Sequence, residues 1–228
     1  MTSTNGSAVS PLASYEVNSL GDDVGPLHKR LLAYFNEMHE ATAAGDTETI
    51  QELEQVVPPL LDEFEATEAL TTPNPGWLSG KMRAGWYVAC GRYEEALAFE
   101  YKGWLHAVSE ADAEENHAAK ARRKSVSASN IADELWRLGR ATEGLPWARL
   151  SVDLWPSNTI NHLVLAITAY HAGLHDEADQ MIERLRQLAN FGDASDILSE
   201  CMSFEQAFHE MTALPSVRRL LQDMEVMP

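Results

Sequence analysis

The sequence is poor in basic residues: 17 Lys and Arg stand against 35 Asp and Glu, which gives a net charge of −18 at pH 7. A nucleic-acid backbone or an anionic membrane surface would be repelled by such a molecule, so we expect neither as a partner. The deficit is concentrated from Leu31 to Gly80, where no Lys or Arg occurs and ten acids fall between Glu37 and Glu68. Two interpretations stay open for this acidic stretch, namely a solvated helix face or a docking surface for a basic partner.

Cysteine is scarce as well, because only Cys90 and Cys201 occur and both lie among apolar residues. This usage is typical of a reducing compartment and argues against a disulfide framework. No run of 18 apolar residues is present, and the first 26 residues lack the basic and apolar segments of a secretory signal. We therefore predict a cytoplasmic protein.

Sustained alternation of β-branched and polar residues is missing, whereas apolar residues recur at spacings of three and four from Leu27 onward. These patterns predict an all-α fold. Residues 1–26 are rich in Ser, Asn, Gly and Asp and predict a flexible tail. The remainder, 27–228, is predicted to be a single helical domain.

Local start and stop signals divide this domain into helices. We expect Gly45 to close the first helix in a left-handed conformation and Asp46 to cap the second. Pro58-Pro59 falls within that second helix, where proline removes amide donors, so a kink or a new helix start is expected there. A further helix is expected over 77–90.

One pattern recurs along the chain: an apolar helix, a turn glycine, and a second helix with a small residue five positions after the glycine. The turn glycines are Gly91, Gly139 and Gly173, and the small residues are Ala96, Gly144 and Ala178. Gly139 and Gly173 are 34 residues apart, and Pro156 follows Gly139 by seventeen. This pattern resembles the tetratricopeptide repeat family in degenerate form. The small residues are expected to let paired helices approach closely, and Pro156 to stop a second helix.

The resemblance implies an α-solenoid of stacked antiparallel helix pairs with a C-terminal capping helix. Its predicted parts are a divergent helical unit at 27–70, repeat-like units at 77–106, 125–158 and 159–192, an elongated hairpin at 107–124, and a cap at 193–228. The hairpin accounts for the wider interval of 48 residues between Gly91 and Gly139. The bases of 120–124 are expected to pair there with the acids of 110–115.

Solenoids of this type bind extended or helical peptides on the concave face that the first helix of each unit lines. The resemblance assigns this groove to Lys81, Met82, Asn130, Asp133, Trp136, Arg137, Leu163, Ile167, Tyr170 and His171. Aromatic residues beside a few charges favour a peptide with bulky apolar anchors. Only Lys81 and Asn130 match the carboxylate clamp of the chaperone-binding members, so a free C-terminal carboxylate is not the expected ligand.

Motifs of catalysis are missing: the sequence has no G-x-S-x-G and no glycine-rich phosphate loop that ends in Lys-Ser or Lys-Thr. We therefore predict a non-catalytic adaptor or assembly protein, without cofactor or metal, that binds a peptide or helical segment of another protein, basic segments included. The alternative is a helical enzyme or a metal- or ligand-regulated sensor that uses His162, His171 and His175. Gly173 separates His171 from His175, so their imidazoles are expected to diverge.

Two further residues have both a functional and a structural interpretation. Ser125 follows the bases of "ARRKS" and matches a site for a basophilic kinase, but we favour a place within a long helix or at its bend. Cys90 precedes a turn glycine, and we interpret it as a packed thiol in preference to a nucleophile.

Overall fold

The computed structural model describes residues 24–71, 75–109, 117–188 and 210–223. Its helices in chain order are α1 (Val24–Ala44), α2 (Thr47–Thr71), α3 (Trp77–Ala89), α4 (Tyr93–Ser109), α5 (His117–Arg137), α6 (Ala141–Leu154), α7 (Thr159–His171), α8 (His175–Leu185) and α9 (Pro215–Asp223). No strand occurs within these residues, so the all-α prediction is confirmed for them. None of these helices combines the length and the apolar character needed to cross a membrane.

The chain divides into two compact units, Met1–Glu110 and Ala111–Pro228. Helices α1 to α4 belong to the first unit and α5 to α9 to the second. The assignment of 27–228 to a single domain stays a prediction.

Left-handed glycines join the helices into hairpins. The φ angles are 69° at Gly45, 69° at Gly91, 73° at Gly139 and 80° at Gly173. At each of these turns the glycine amide donates to the carbonyl three residues earlier, and the next amide donates to the carbonyl five residues earlier. These paired bonds satisfy carbonyls that a helix end leaves open, and the backbone angles favour glycine because it lacks a Cβ. The predicted turn glycines are therefore confirmed.

In the first unit, α1 and α2 form one hairpin and α3 and α4 another, and both α1 and α2 pack on α3. The Phe35 and Trp86 rings meet with centroids 5.8 Å apart. A Cβ added to Gly85 would lie 3.3 Å from the Phe35 ring, so α1 lies directly against α3. The Asp46 cap is confirmed, because Oδ1 of Asp46 accepts hydrogen bonds from two amides of the first turn of α2, each at 3.2 Å.

Helix α2 runs unbroken through Pro58-Pro59, so the predicted new start at these residues is wrong. The prolines deprive the carbonyls of Glu54 and Gln55 of their helical donors, and both residues are exposed, so water can bond to these oxygens. Buried apolar residues on both sides, Val57 and Leu61 among them, hold the helix in place.

In the second unit, α7 packs against α5, α6 and α8, and α9 packs against α8. Helices α5, α6 and α7 approach closely at Gly144: a Cβ there would lie 3.1 Å from the carbonyl oxygen of Ala132 and 3.3 Å from Cγ2 of Thr168. The predicted close packing at Gly144 is confirmed, and its counterparts Ala96 and Ala178 are fully buried.

Several predicted boundaries differ from the observed ones. Helix α1 begins at Val24, inside the predicted tail. Helix α5 begins at His117, inside the predicted elongated hairpin, and continues without interruption into the unit predicted to start at Ser125. Helix α6 ends at Leu154, before Pro156, as predicted. The rest of the tail, most of the predicted cap, Cys201, and the acids expected to pair with 120–124 lie outside the described residues.

Candidate functional site

Half of the predicted groove residues meet at one end of the second unit, where α5 and α7 both terminate. The Trp136 ring stacks on the His171 ring, with centroids 4.9 Å apart and planes 9° from parallel. Tyr170 meets His171 edge-on at 5.5 Å and stacks on His175 at 4.8 Å. We call this group the Trp136 cluster; its members are Asp133, Trp136, Arg137, Tyr170, His171 and His175.

Two charged residues of α5 hold the Trp136 ring. Trp136 Nε1 donates to Asp133 Oδ1 at 2.8 Å, and Arg137 Nε donates to Asp133 Oδ2 at 2.9 Å. The Arg137 guanidinium lies 4.7 Å from the centroid of the Trp136 ring, within cation–π distance. Because Asp133 accepts from both neighbours, the charge of Arg137 is balanced inside the cluster.

The imidazole of His171 is held in a less polar environment than water. Burial lowers the pKa of His171, and the nearby negative charge of Glu210 opposes this effect. The Tyr170 hydroxyl donates to the Glu210 carbonyl at 2.8 Å, which links α7 to the segment before α9. The cluster residues of α5 and α7 are half-buried and His175 is exposed, so another molecule can reach the cluster.

The remaining predicted groove residues of the second unit do not offer a comparable surface. Leu163 and Ile167 are each only 4% exposed, and every residue from Thr159 to Ala169 on α7 is buried. A stretch of helix whose residues are buried on every side presents no open face to a partner. These two side chains therefore pack inside the unit, which corrects their assignment to an open groove. Asn130 is half-buried on α5.

Lys81 and Met82 belong to the first unit and also face inward. Met82 is 1% exposed, so it too is a packing residue and not part of an open groove. The Lys81 ammonium pairs with the carboxylate of Glu100 on α4, a residue that is only 2% exposed, and lies 5.5 Å from the centroid of the Trp77 ring. Lys81 thus joins α3 to α4.

The three histidines of the alternative function do not converge. His162 is buried, and its Nε2 lies 2.8 Å from the carbonyl oxygen of Pro156. His171 and His175 stack on different rings, those of Trp136 and Tyr170. Within the residues that the structure describes, no group of three or more His, Cys, Asp and Glu side chains is arranged to hold a metal ion.

Of the two residues with competing interpretations, Cys90 is half-buried and Ser125 is fully buried. Burial, reinforced by the charge of Glu54, raises the pKa of Cys90 to about 11, so its thiol stays protonated and is a poor nucleophile. Ser125 lies within α5, is fully buried, and donates its hydroxyl to the carbonyl of Ser151 at 2.9 Å. A kinase could not reach this hydroxyl while the unit is folded.

Sequence reasoning missed two members of this region. From the sequence, His175 was named only for the alternative function and not for the groove, but the left-handed turn at Gly173 returns the chain so that His175 stacks on Tyr170. Glu210 lies 40 residues after Tyr170, and no local pattern links the two. Spacing within one helix cannot reveal either contact.

No protein-family profile, no curated protein and no solved structure matches this chain. The resemblance to the tetratricopeptide repeat family stays a prediction.

Proposed function

We propose that the chain is a non-catalytic adaptor or assembly protein whose second unit binds a peptide or helical segment of another protein at the Trp136 cluster. The main support is a contact between residues that occupy equivalent positions in two successive repeat-like units. Trp136 and Arg137 are the twelfth and thirteenth residues of the unit at 125–158, and Tyr170 and His171 hold the same positions in the unit at 159–192. The resemblance assigns these positions to the peptide-binding face.

The proposed architecture is an α-solenoid of the tetratricopeptide type. Its support is the shared turn geometry of the hairpins and the close packing at Gly144. We propose α9 as the capping helix, because Asp179 Oδ1 accepts from the Ser216 amide at 2.9 Å and Glu183 pairs with Arg219. The exposed Arg218 and Gln222 give this helix a polar outer face. The cysteine usage supports a cytoplasmic location.

The chemistry of the cluster favours apolar anchors over a free carboxylate. Arg137 is engaged by Asp133, and Lys81 by Glu100, so neither cation is poised to take a terminal carboxylate. Burying a carboxylate without converging donors is unfavourable. The half-buried rings of the cluster, with Leu174 41% exposed in the adjoining turn, instead provide apolar surface. A partner segment with bulky apolar side chains fits this surface best.

Affinity capture from source cells tests the proposal with three baits. These are the wild-type chain, Trp136→Ala, and Trp155→Ala as a matched control, because Trp155 is a half-buried tryptophan of the same unit beyond the far end of α6. Truncation of an aromatic anchor at an interface typically costs ~2 kcal/mol or more, so Trp136→Ala should reduce capture by at least about tenfold. Trp155→Ala should retain the partner, and circular dichroism establishes that each bait is folded.

Lys81→Ala is unsuitable as the control, because it would leave the buried Glu100 without the Lys81 ammonium and destabilise the first unit. A partner retained by folded Trp136→Ala would contradict the proposed site. The failure of wild-type bait to enrich any protein would contradict the adaptor function itself.

A further inference from the structure

A histidine of the first unit is buried without a hydrogen bond. His28 lies near the start of α1 and is 0% exposed, and neither of its ring nitrogens has a hydrogen-bond partner. Its ring lies against Phe64 of α2, with centroids 5.9 Å apart. Buried polar atoms are nearly always paired, and an unpaired one disfavours the folded state. An apolar residue of similar size would fill this site at a lower free energy.

His28 lies on the buried face of α1. Leu31, Phe35 and Met38 follow it at helical spacing and are all buried. A proton on His28 would make both nitrogens donors and place a cation on this apolar face. Burial lowers the pKa of His28, and no neighbouring charge contributes to the shift.

The ionisable groups described on the packed helices α2 and α3 form their hydrogen bonds with partners other than His28. On α2, the buried carboxylate of Glu68 accepts the amides of the first turn of α3 at 3.1 and 2.9 Å. Asp62 and Glu65 of α2 bind the guanidinium of Arg83 on α3. The other cation on α3, Lys81, is paired with a buried glutamate.

Lys29 and Arg30, which follow His28 on its own helix, are exposed to solvent and do not contribute to the shift.

We propose that His28 makes the packing of α1 against α2 sensitive to acid: uptake of a proton by the buried imidazole releases α1 and exposes the apolar face of α1 that carries Leu31, Phe35 and Met38. The direction follows from linkage. Because the folded state binds this proton less tightly than the unfolded chain, stability is unaffected well above pH 6.5 and falls as the pH drops below it. As the pH falls below 6.5, the ratio of folded to unfolded protein decreases by up to about tenfold per pH unit, until the pH is below the lowered pKa of His28 in the folded state. This proposal does not depend on the peptide-binding function proposed for the Trp136 cluster of the second unit.

Hydrogen–deuterium exchange of the full chain at pH 7.5 and pH 5.5, corrected for intrinsic exchange rates, tests whether protonation of His28 releases α1. In wild type, protection of the α1 amides should fall by several-fold at the lower pH. His28→Leu should keep its protection at both values and raise the unfolding midpoint at both. His39→Gln, a change of a half-buried histidine on the same helix, should behave as wild type.

A proton NMR titration of the histidine ring signals provides a second measurement on the unmodified protein. The His28 signal, assigned by its absence from His28→Leu or, if that variant does not fold, from His28→Phe, should titrate below pH 6.5. Titration at or above pH 6.5 would overturn the proposal. An equal loss of α1 protection in wild type and His28→Leu would do so as well.

Discussion

At the scale of single residues, glycine serves two separate purposes in this chain. At the hairpin turns it supplies a left-handed backbone, and space for a Cβ is available there. At Gly144 the backbone is helical and the absent side chain is what matters, because the Ala132 carbonyl occupies the space. Gly80, inside α3, has neither constraint.

Two substitutions, Gly144→Ala and Gly80→Ala, test whether the absent side chain of Gly144 is required for packing. A methyl group at Gly144 would press on backbone, and overpacking of this kind costs ~1–3 kcal/mol, so the free energy of unfolding should fall. At Gly80 the methyl group meets open space, and the higher helix propensity of alanine should raise stability by ~0.5–1 kcal/mol. Urea unfolding of the two variants and wild type measures both changes. Equal effects of the two substitutions would contradict the packing described for Gly144.

Residue-level features were predictable where the physical cause is local. The turn glycines and the Asp46 cap depend on a few consecutive residues, and the sequence indicates them directly. The burial of Met82, Leu163 and Ile167 depends on what surrounds each helix, and the repeat resemblance that placed them on an open groove carries no such information. The resemblance also named Trp136, Tyr170 and His171, whose rings the structure brings together; their role in binding stays a prediction.

At the scale of elements, α7 depends on polar contacts at its buried start. Asn158 Oδ1 accepts from the amides of Ile160 and Asn161 at 2.9 and 3.3 Å, and Asn161 Nδ2 donates to Ser125 Oγ at 2.8 Å and to the Ser151 carbonyl at 3.0 Å. These bonds fix α7 relative to α5 and α6. A helix buried on all sides therefore has its first turn satisfied by side chains instead of water.

Asn158→Ala should lower the free energy of unfolding by ~0.5–2 kcal/mol, because it removes the cap from these two amides. Asn158→Ser is the matched control, since a serine hydroxyl can accept from the same amides, and it should lie closer to wild type. Thermal and urea unfolding measure the difference. A stability of Asn158→Ala equal to that of wild type would show that water replaces the cap.

Helical periodicity in the sequence predicted that the helices exist, but it did not predict how far each one extends. The pair Pro58-Pro59 predicted a break that packing overrides, because α2 buries residues before and after it. Tertiary contacts outweigh local preference at Pro58-Pro59. Helix α5 begins at His117, within the elongated hairpin at 107–124 that the wide interval between Gly91 and Gly139 had indicated.

At the scale of the whole molecule, the acidic charge is partly unbalanced along the first unit. Helix α2 exposes Glu48, Glu52 and Glu54 among its carboxylates, and Arg83 pairs with Asp62 and Glu65. Long-range attraction of a positively charged partner follows from such an excess and is weakened by salt.

If a basic segment is among the partners, the dissociation constant for the captured protein should rise several-fold between low and high ionic strength. The Debye length, over which these charges act on a partner, falls from about 30 Å at 0.01 M salt to about 3 Å at 1 M salt. The double variant Glu48→Gln/Glu52→Gln should show a shallower salt dependence than wild type. Isothermal titration over a salt series measures both slopes. An affinity that does not change with salt would assign the acidic stretch to solvation alone.

The packed helix pairs also determine how fast each unit can form. Among the helices α1 to α8, the pairs that pack most closely within a unit are adjacent or next-but-one along the chain, such as α1 with α3 or α5 with α7. Chains whose contacts are this close in sequence have low contact order and typically fold within microseconds to milliseconds, because little loop entropy is lost before contacts form. The hairpins of α1 to α4 can therefore assemble as they emerge from the ribosome, while α5 and the helices after it are still being synthesised.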